Sequence, residues 1–470
     1  MWWVCIQWCW AMKRQSEDNL VVWKDRVHRK PLVVRGARQV GKTFLVETFG
    51  RRCFESVLTV NLEQKDALHR LFDGMEPNRI VQELGLYFNQ SIVPGKTLLF
   101  LDEVQACPKA IACLRYFQEE LPGLHVIAAG SLLEFALREF KYSMPVGRIE
   151  HLYLYPLTFS EFLLALGEDR LVSWLENYHV GDLFSDTAHV RLREFLRLYY
   201  FIGGMPAAVA AYRERRDLVE VQRELTSIIT TLQDDFAKYG TRAQQRNMRR
   251  VLRHIPLSIG RKVRYVNIDR ETRARDLRIA LELLELAGFV SLVRHSSANG
   301  VPLGAEASND RFKPLLLDIA LCGNLSGLSL PDDAELLTVQ EGSLAEQLVG
   351  QELRTVGPCF AKRPLYYWHR EAKNANAEVD YLWTHDGIVI PVEVRVGTSG
   401  SLKSIHVFLA EKSRHFAVRF NMGRPTIGDF SVDLGSKTEA KTVSFTLLSL
   451  PLYLVGQLGR LVQEQYPTDG

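Results

Sequence analysis

The sequence predicts an α/β chain whose N-terminal third is a parallel sheet carrying a phosphate-binding loop. Three observations lead there. Leu32, Val33 and Val34 form a short apolar run, mostly β-branched, of the kind buried on both faces in a parallel sheet. That run leads straight into Gly36-Ala37-Arg38-Gln39-Val40-Gly41-Lys42-Thr43, which fits the GxxxxGK[ST] spacing, and a helical pattern opens at Lys42. Further apolar runs at 57–62, 97–101 and 126–129 alternate with helical stretches, an order that implies parallel strands with helices on both faces.

The physical case for each part of the loop is specific. Gly36 and Gly41 let the backbone curl, so that the amides from Ala37 through Arg38, Gln39 and Val40 point inward around phosphate. The helix starting at Lys42 adds its positive end. Lys42 supplies a point charge to the β- and γ-phosphates of ATP, and the Thr43 hydroxyl suits Mg²⁺. Downstream, residues 97–105 read TLLFLDEVQ. Asp102, ending a buried strand, can hold the water shell of Mg²⁺. Glu103 beside it can orient or deprotonate the attacking water. Residues 126–131 read VIAAGS, a strand ending at Ser131, which either holds the water or γ-phosphate or is a simple strand-end turn. Arg148 either reaches a phosphate, in its own or a neighbouring subunit, or is a surface arginine.

Composition bounds the rest. The chain has 470 residues, 47% hydrophobic and 24% charged, which fits a globular protein rather than a disordered one. At ordinary domain sizes that is about two to four domains. A net charge of +3 is too small to indicate a nucleic-acid partner by itself. The seven cysteines form no CxxC pair, which argues against structural zinc, and their scatter suits free thiols in a reducing cytoplasm. Residues 1–10, MWWVCIQWCW, are too short to span a bilayer and lack the basic start of a signal peptide. They read either as an interfacial or packing segment or as an extension ahead of a start at Met12, the second being favoured. No stable membrane insertion is expected.

Beyond Pro156 the pattern turns helical, punctuated by Gly203-Gly204-Met205-Pro206. From about 235 to 320 the chain reads as a small separate unit. Leu277, Ala280, Leu281, Leu284 and Ala287 recur at helical spacing, Gly288 stands where a C-terminal cap belongs, 289–293 reads as a strand, and Asn299-Gly300 signals a hairpin. Helices followed by a hairpin resemble a winged helix. Arg261, Lys262, Arg264, Arg270, Arg273, Arg275 and Arg278 crowd its last helix, partly offset by Asp269, Glu271 and Asp276. They either meet DNA phosphates or form a solvated face paired with its own acids. A final α/β unit follows, with a helix over 343–355 and strands at 365–368, 378–383 and 388–396.

GARQVGKT, LLFLDEVQ, AAGSLLEF, VGRIEHLYLYPLTFSEF and FIGGMPAAV, in this order, resemble AAA+ family ATPases of bacteria and archaea. Those proteins carry a C-terminal domain of unknown function with a nuclease-like core. The resemblance runs from about Met12 to the last residues. It implies an N-terminal segment (1–29), a P-loop AAA+ ATPase core (30–165), a helical lid (166–235), a winged-helix-like segment (236–335) and a restriction-endonuclease-like α/β domain (336–470). In nuclease cores of the PD-(D/E)xK type an Asp and a Glu meet across two strands and bind Mg²⁺, here Asp380 and Glu393, with Glu352 of the preceding helix a further carboxylate. The lysine of that motif is replaced by Arg395, which cannot deprotonate water near neutral pH and puts cleavage in doubt. The leading expectation is an Mg²⁺-dependent ATPase coupling nucleotide state to a C-terminal half that binds DNA or protein partners. A slow ATP switch that scaffolds partners and a weakened Mg²⁺ nuclease are the rivals.

Overall fold

The computed structural model describes residues 12–131, 133–138, 147–327, 334–370, 377–396, 402–434 and 442–466. It opens with helix α1 (Ser16–Asp25) and strand β1 (Leu32–Arg35), followed by α2 (Lys42–Cys53), β2 (Ser56–Asn61), α3 (Pro77–Phe88), β3 (Thr97–Asp102), α4 (Pro108–Glu120), β4 (His125–Gly130), α5 (Leu133–Arg138) and β5 (Glu150–Tyr153). The five strands pair in parallel in the order β2-β3-β4-β1-β5. Every residue of β3 and β4 is buried, as a strand covered on both faces requires. One face packs under α3 and α4 through residues such as Leu84, Leu99, Leu101 and Phe117. The other packs on α1 and α2 through Trp23, Val46, Phe49 and Phe100.

This order puts the C-terminal ends of β3, β4 and β1 side by side. Ligands of open parallel sheets bind outside those ends, and there the loop after β1, the acids ending β3 and Ser131 after β4 are gathered.

Helices α6 (Phe159–Ala165), α7 (Asp169–Asn177), α8 (Asp186–Ile202), α9 (Pro206–Arg215) and α10 (Leu218–Asp234) follow. The start of α6 is fixed by a reciprocal cap: the Thr158 hydroxyl accepts from the Glu161 amide while the Glu161 carboxylate accepts from the Thr158 amide. Arg14 locks this helix to the sheet, its buried guanidinium donating to Glu161, to the Val40 carbonyl at 3.0 Å and to the Tyr155 carbonyl at 2.6 Å. Between α8 and α9 the chain turns at Gly203 and Gly204. A β-carbon on Gly204 would stand 2.0 Å from the Leu157 carbonyl, and one on Gly203 2.0 Å from Asp318 Oδ1, so neither position admits a side chain.

The remainder is built on α11 (Arg242–His254), α12 (Tyr265–Ile268), α13 (Ala274–Leu286), β6 (Val290–Ser296), β7 (Ala307–Leu316), α14 (Ile319–Leu325), α15 (Ala334–Leu353), β8 (Leu365–His369), β9 (Glu378–His385), β10 (Ile388–Val394), α16 (Lys403–Lys412), β11 (Phe416–Asn421), β12 (Thr426–Asp433), β13 (Thr442–Pro451) and α17 (Leu458–Gln465). Its strands form one mixed eight-stranded sheet, β12-β13-β11-β10-β9-β8-β6-β7. Here the structure corrects the picture of 235–320 as a small separate unit. β6 pairs antiparallel with β7 on one side and parallel with β8 on the other, so its hairpin continues the C-terminal sheet instead of standing free as a wing. Nor is the hairpin tight: residues 297–306, including a short 3₁₀ turn at Leu303–Glu306, separate its strands. A single hydrophobic cluster extends from Met12 through the helices over the first sheet to Val462.

Candidate functional site

The loop after β1 curls because Gly36, Gln39 and Gly41 all take positive φ, at 153°, 65° and 93°. A β-carbon at Gly36 would fall 2.2 Å from the Leu154 carbonyl oxygen, so glycine is required there. Lys42 folds back over the loop and donates to the carbonyls of Gly36 at 3.0 Å and Ala37 at 2.8 Å. Burial works against its charge and pulls its pKa down to about 8, with Glu103 and Asp102 pulling the other way.

The acids at the end of β3 have different surroundings. The Thr43 hydroxyl donates to Asp102 Oδ2 at 3.0 Å. Burial, reinforced by the negative charge of Glu103, raises Asp102 to about 6. Glu103 lies at φ 50°, a left-handed turn that takes its side chain out of the strand direction. Its carboxylate accepts from Gln105 Nε2 at 2.6 Å and from the Ser131 hydroxyl at 3.3 Å. Gly130 leaves room for Gln105, whose Oε1 would be 2.2 Å from a β-carbon there.

Arg14, Arg38, Lys42, Thr43, Glu103 and Ser131 line a cavity of about 560 Å³ closed on its far side by Pro206, Ala210 and Arg213 of α9. Arg38 is ion-paired with the buried Asp235, which ties the loop to the end of α10. The loop residues, Thr43, Asp102, Glu103 and Ser131 are thus brought together. Arg148 is not. It precedes β5, whose Glu150 is in register with Leu32 at the start of β1, so Arg148 stands at the opposite end of the sheet. There it pairs with Glu119 at 3.4 Å, and the reading in which it meets a phosphate of its own subunit is corrected. Gln105, Pro206 and Arg213 escaped the sequence reading. The first lay in plain sight in DEVQ; the other two arrive through the lid and carry no local signal.

The geometry agrees with the comparisons. Residues 28–163 match the model of the AAA domain family. The N-terminal third is an AAA+ P-loop ATPase domain. Residues 193–332 match a domain of unknown function (DUF8612) and residues 341–437 another (DUF4143), so the AAA+ domain is followed by the C-terminal domains expected of such proteins. No curated protein matches the chain. Among solved structures, a Walker-type ATPase of Pyrococcus abyssi is 16% identical, with 67% of this chain and 96% of that one covered and a TM-score of 0.43. The Aeropyrum pernix ORC2 protein in its ADPNP–ADP complexes is 13% identical, with 70% and 93% covered and a TM-score of 0.37. The Aeropyrum pernix ORC1 protein in complex with DNA is 14% identical, with 70% and 95% covered and a TM-score of 0.30.

Outside the AAA+ domain, two charged regions stand out. Residues 242–278 hold twelve Lys and Arg against three Asp and Glu, a net +9 in a chain whose total is +3. Part of this charge is spent internally: Arg250 pairs with Asp269, Lys262 with Glu378, and Arg278 with Glu282 and Asp310. On α11, however, Arg242, Arg246, Arg249 and Arg253 recur at helical spacing opposite buried Met248, Val251 and Leu252. The exposed Arg261, Arg264, Arg270, Arg273 and Arg275 lie on the adjoining segment, and no carboxylate pairs with any of these nine among the described residues. The α11 stripe lies outside the basic cluster at 261–278 expected from the sequence.

The second region is acidic. Asp380 and Glu393 are buried and drawn into one group, and Arg395 turns back to pair with Glu393. Glu352 does not join them. Its carboxylate accepts from the Phe159 amide at 2.9 Å, and burial raises its pKa to about 8. The carboxylate of α15 that enters the group is Glu346, on a different face of the helix. Among the described residues, no three His, Cys, Asp or Glu side chains are grouped so as to hold a metal ion, and no helix is long and apolar enough to cross a membrane.

Proposed function

We propose that this protein binds ATP with Mg²⁺ in the cavity between the loop after β1 and helix α9, and hydrolyses it. The observation that carries the reading is the placing of Glu103, held by Gln105 and Ser131, in the cavity wall beside Asp102 and the loop. The loop amides and Lys42 bind and orient the phosphates. Thr43 and Asp102, already in contact, fit the oxygen ligation that Mg²⁺ prefers, and the ion would offset phosphate charge. Glu103 orients the attacking water and takes its proton, while Ser131 and Gln105 fix the direction of that carboxylate. Phosphate release in steady state, with Mg²⁺, compared between the protein and Glu103→Gln, tests this.

The raised pKa of Asp102 sets an expected pH profile. The ligand form is the ionised one and its pKa is about 6, so on the acid side Mg²⁺-dependent kcat/KM declines as pH falls through about 6. Asp102→Asn has low activity throughout and shows no such step. A profile that stays level down to pH 5 would remove Asp102 from the role.

The α11 stripe supports coupling of the nucleotide cycle to DNA held by its phosphate backbone. Four arginines on one helix face, next to five more without acid partners, suit a polyanion and carry no means of reading sequence. Binding of a duplex is therefore expected to be sequence-indifferent and to weaken steeply with salt. Changing Arg246 and Arg253 to Glu lowers the slope of log K against log salt by about 2, since each lost phosphate contact removes roughly 1. Unaltered duplex binding by that variant would reject the face. Arg148, half-exposed at the far end of the sheet, is left for a neighbouring copy or a protein partner.

A further inference from the structure

The acids of the C-terminal sheet already have a cation among them. Lys313 comes from β7, separated from β9 by β8 and β6 in the sheet order, and its side chain is 4% exposed. Its ammonium lies 2.6 Å from Glu378, 3.5 Å from Asp380 and 3.7 Å from Glu346. Tyr367 adds a ring face 5.3 Å away. Lys262 takes the other side of Glu378 at 3.2 Å, and Arg395 takes Glu393.

A divalent ion needs this space. Mg²⁺ binds one or two carboxylates at about 2.1 Å and keeps several waters. A buried ammonium in contact with three of the four carboxylates leaves room for neither ion nor water, and two cations at such separation repel strongly in a dry interior. The remaining donors are also poor. Asp380 Oδ2 accepts from the Val394 amide at 2.9 Å. Glu393 is 1% exposed; its Oε2 has no hydrogen-bond partner among the described residues, and its other oxygen is taken by Arg395. Burial, with the charge of Asp380 added, pushes the carboxyls of Glu346 and Glu393 upward, away from the anionic form a metal needs. Burial opposes the charge of Lys313, but Asp380, Glu346 and Glu378 outweigh it and hold the ammonium protonated. The residues present do not fit Mg²⁺.

We propose that Lys313 is the resident cation of this cluster, standing where a divalent ion would, so that the C-terminal domain folds and acts without a metal as a binding or assembly module and not as a phosphodiesterase. Breaking the cluster at Lys313 leaves several buried carboxylates without their cation, and a divalent ion then becomes the natural replacement.

The test uses the full chain without nucleotide, Mn²⁺ as the probe, and two readouts, electron paramagnetic resonance of free Mn²⁺ and thermal unfolding. In the unsubstituted protein, Mn²⁺ uptake and the change in Tm on adding Mn²⁺ are expected to be the same as in Asp380→Asn. Lys313→Ala is expected to melt several degrees lower in chelator and to recover on adding Mn²⁺, a recovery lost in Lys313→Ala/Asp380→Asn. Lys313→Arg keeps the charge and stays indifferent to metal. Stoichiometric Mn²⁺ uptake by the unsubstituted protein that Asp380→Asn removes would overturn the proposal, as would a Lys313→Ala protein that folds with unchanged Tm and takes no Mn²⁺. If Lys313→Ala does not fold at all, the comparison of the unsubstituted protein with Asp380→Asn still decides.

Discussion

Glu103→Gln is expected to bind ATP as tightly as the unsubstituted protein and to release phosphate about 10²–10⁴-fold more slowly, the ordinary contribution of a positioned general base. The substitution changes one atom. The amide oxygen can still accept from Gln105 and Ser131, which hold the carboxylate now, so position is kept and basicity is lost. Binding is set by the loop and Lys42, neither of which Glu103 touches through a hydrogen bond. Retention of labelled ATP on a filter and single-turnover phosphate release read the two effects separately. Turnover within about twofold of the unsubstituted rate would take Glu103 out of the chemistry.

Lys42→Ala is expected to weaken ATP binding on the order of 10²-fold or more. Its ammonium is the buried charge at the mouth of the loop and also ties the Gly36 and Ala37 carbonyls together. Charge-assisted hydrogen bonds contribute roughly 1.5–3 kcal/mol each, so losing two contacts to phosphate weakens binding on the order of 10²-fold or more. The fold survives, because alanine suits the first turn of α2. A second signature follows from the same burial. Lys42 is lowered to about 8 in the free protein, and phosphate charge raises it, so ATP binding near pH 8 takes up a proton. Calorimetry in buffers of different ionisation enthalpy measures that uptake, and Asp102→Asn retains it. ATP binding by Lys42→Ala as tight as that of the unsubstituted protein would refute the site.

The parts of this protein that could be read from the sequence are those whose chemistry is local. GARQVGKT carries its own turn, charge and helix start within eight residues, and LLFLDE carries a buried strand and its acids in a single run. Ser131 was placed by the same logic, one residue past a buried strand. Arg148 shows the limit. Its type suited a phosphate, but a parallel strand returns the chain to the far end of the sheet before β5 begins, and spacing alone does not show which end a residue occupies. The acidic group shows a second limit. Asp380 and Glu393 were visible because they lie on adjacent strands, whereas Lys313 enters from a strand 67 residues before Asp380 and only sheet order brings it there. Glu352 and Glu346 differ by six positions on one helix, enough to turn the two carboxylates to different neighbours.

The seam between β6 and β8 bears on where such a chain can be divided. Two family models divide the C-terminal half, one ending at 332 and the other starting at 341, yet the first supplies β6 and β7 to the sheet of the second. Removing either segment would strip a row of backbone amides and carbonyls from the other and expose a bare strand edge, an invitation to aggregation. Val293, Arg294 and His295 of β6 pair with Leu365, Tyr366 and Tyr367 of β8 across that boundary. Separating the two segments would unpair both strands, so they are expected to fold as one unit.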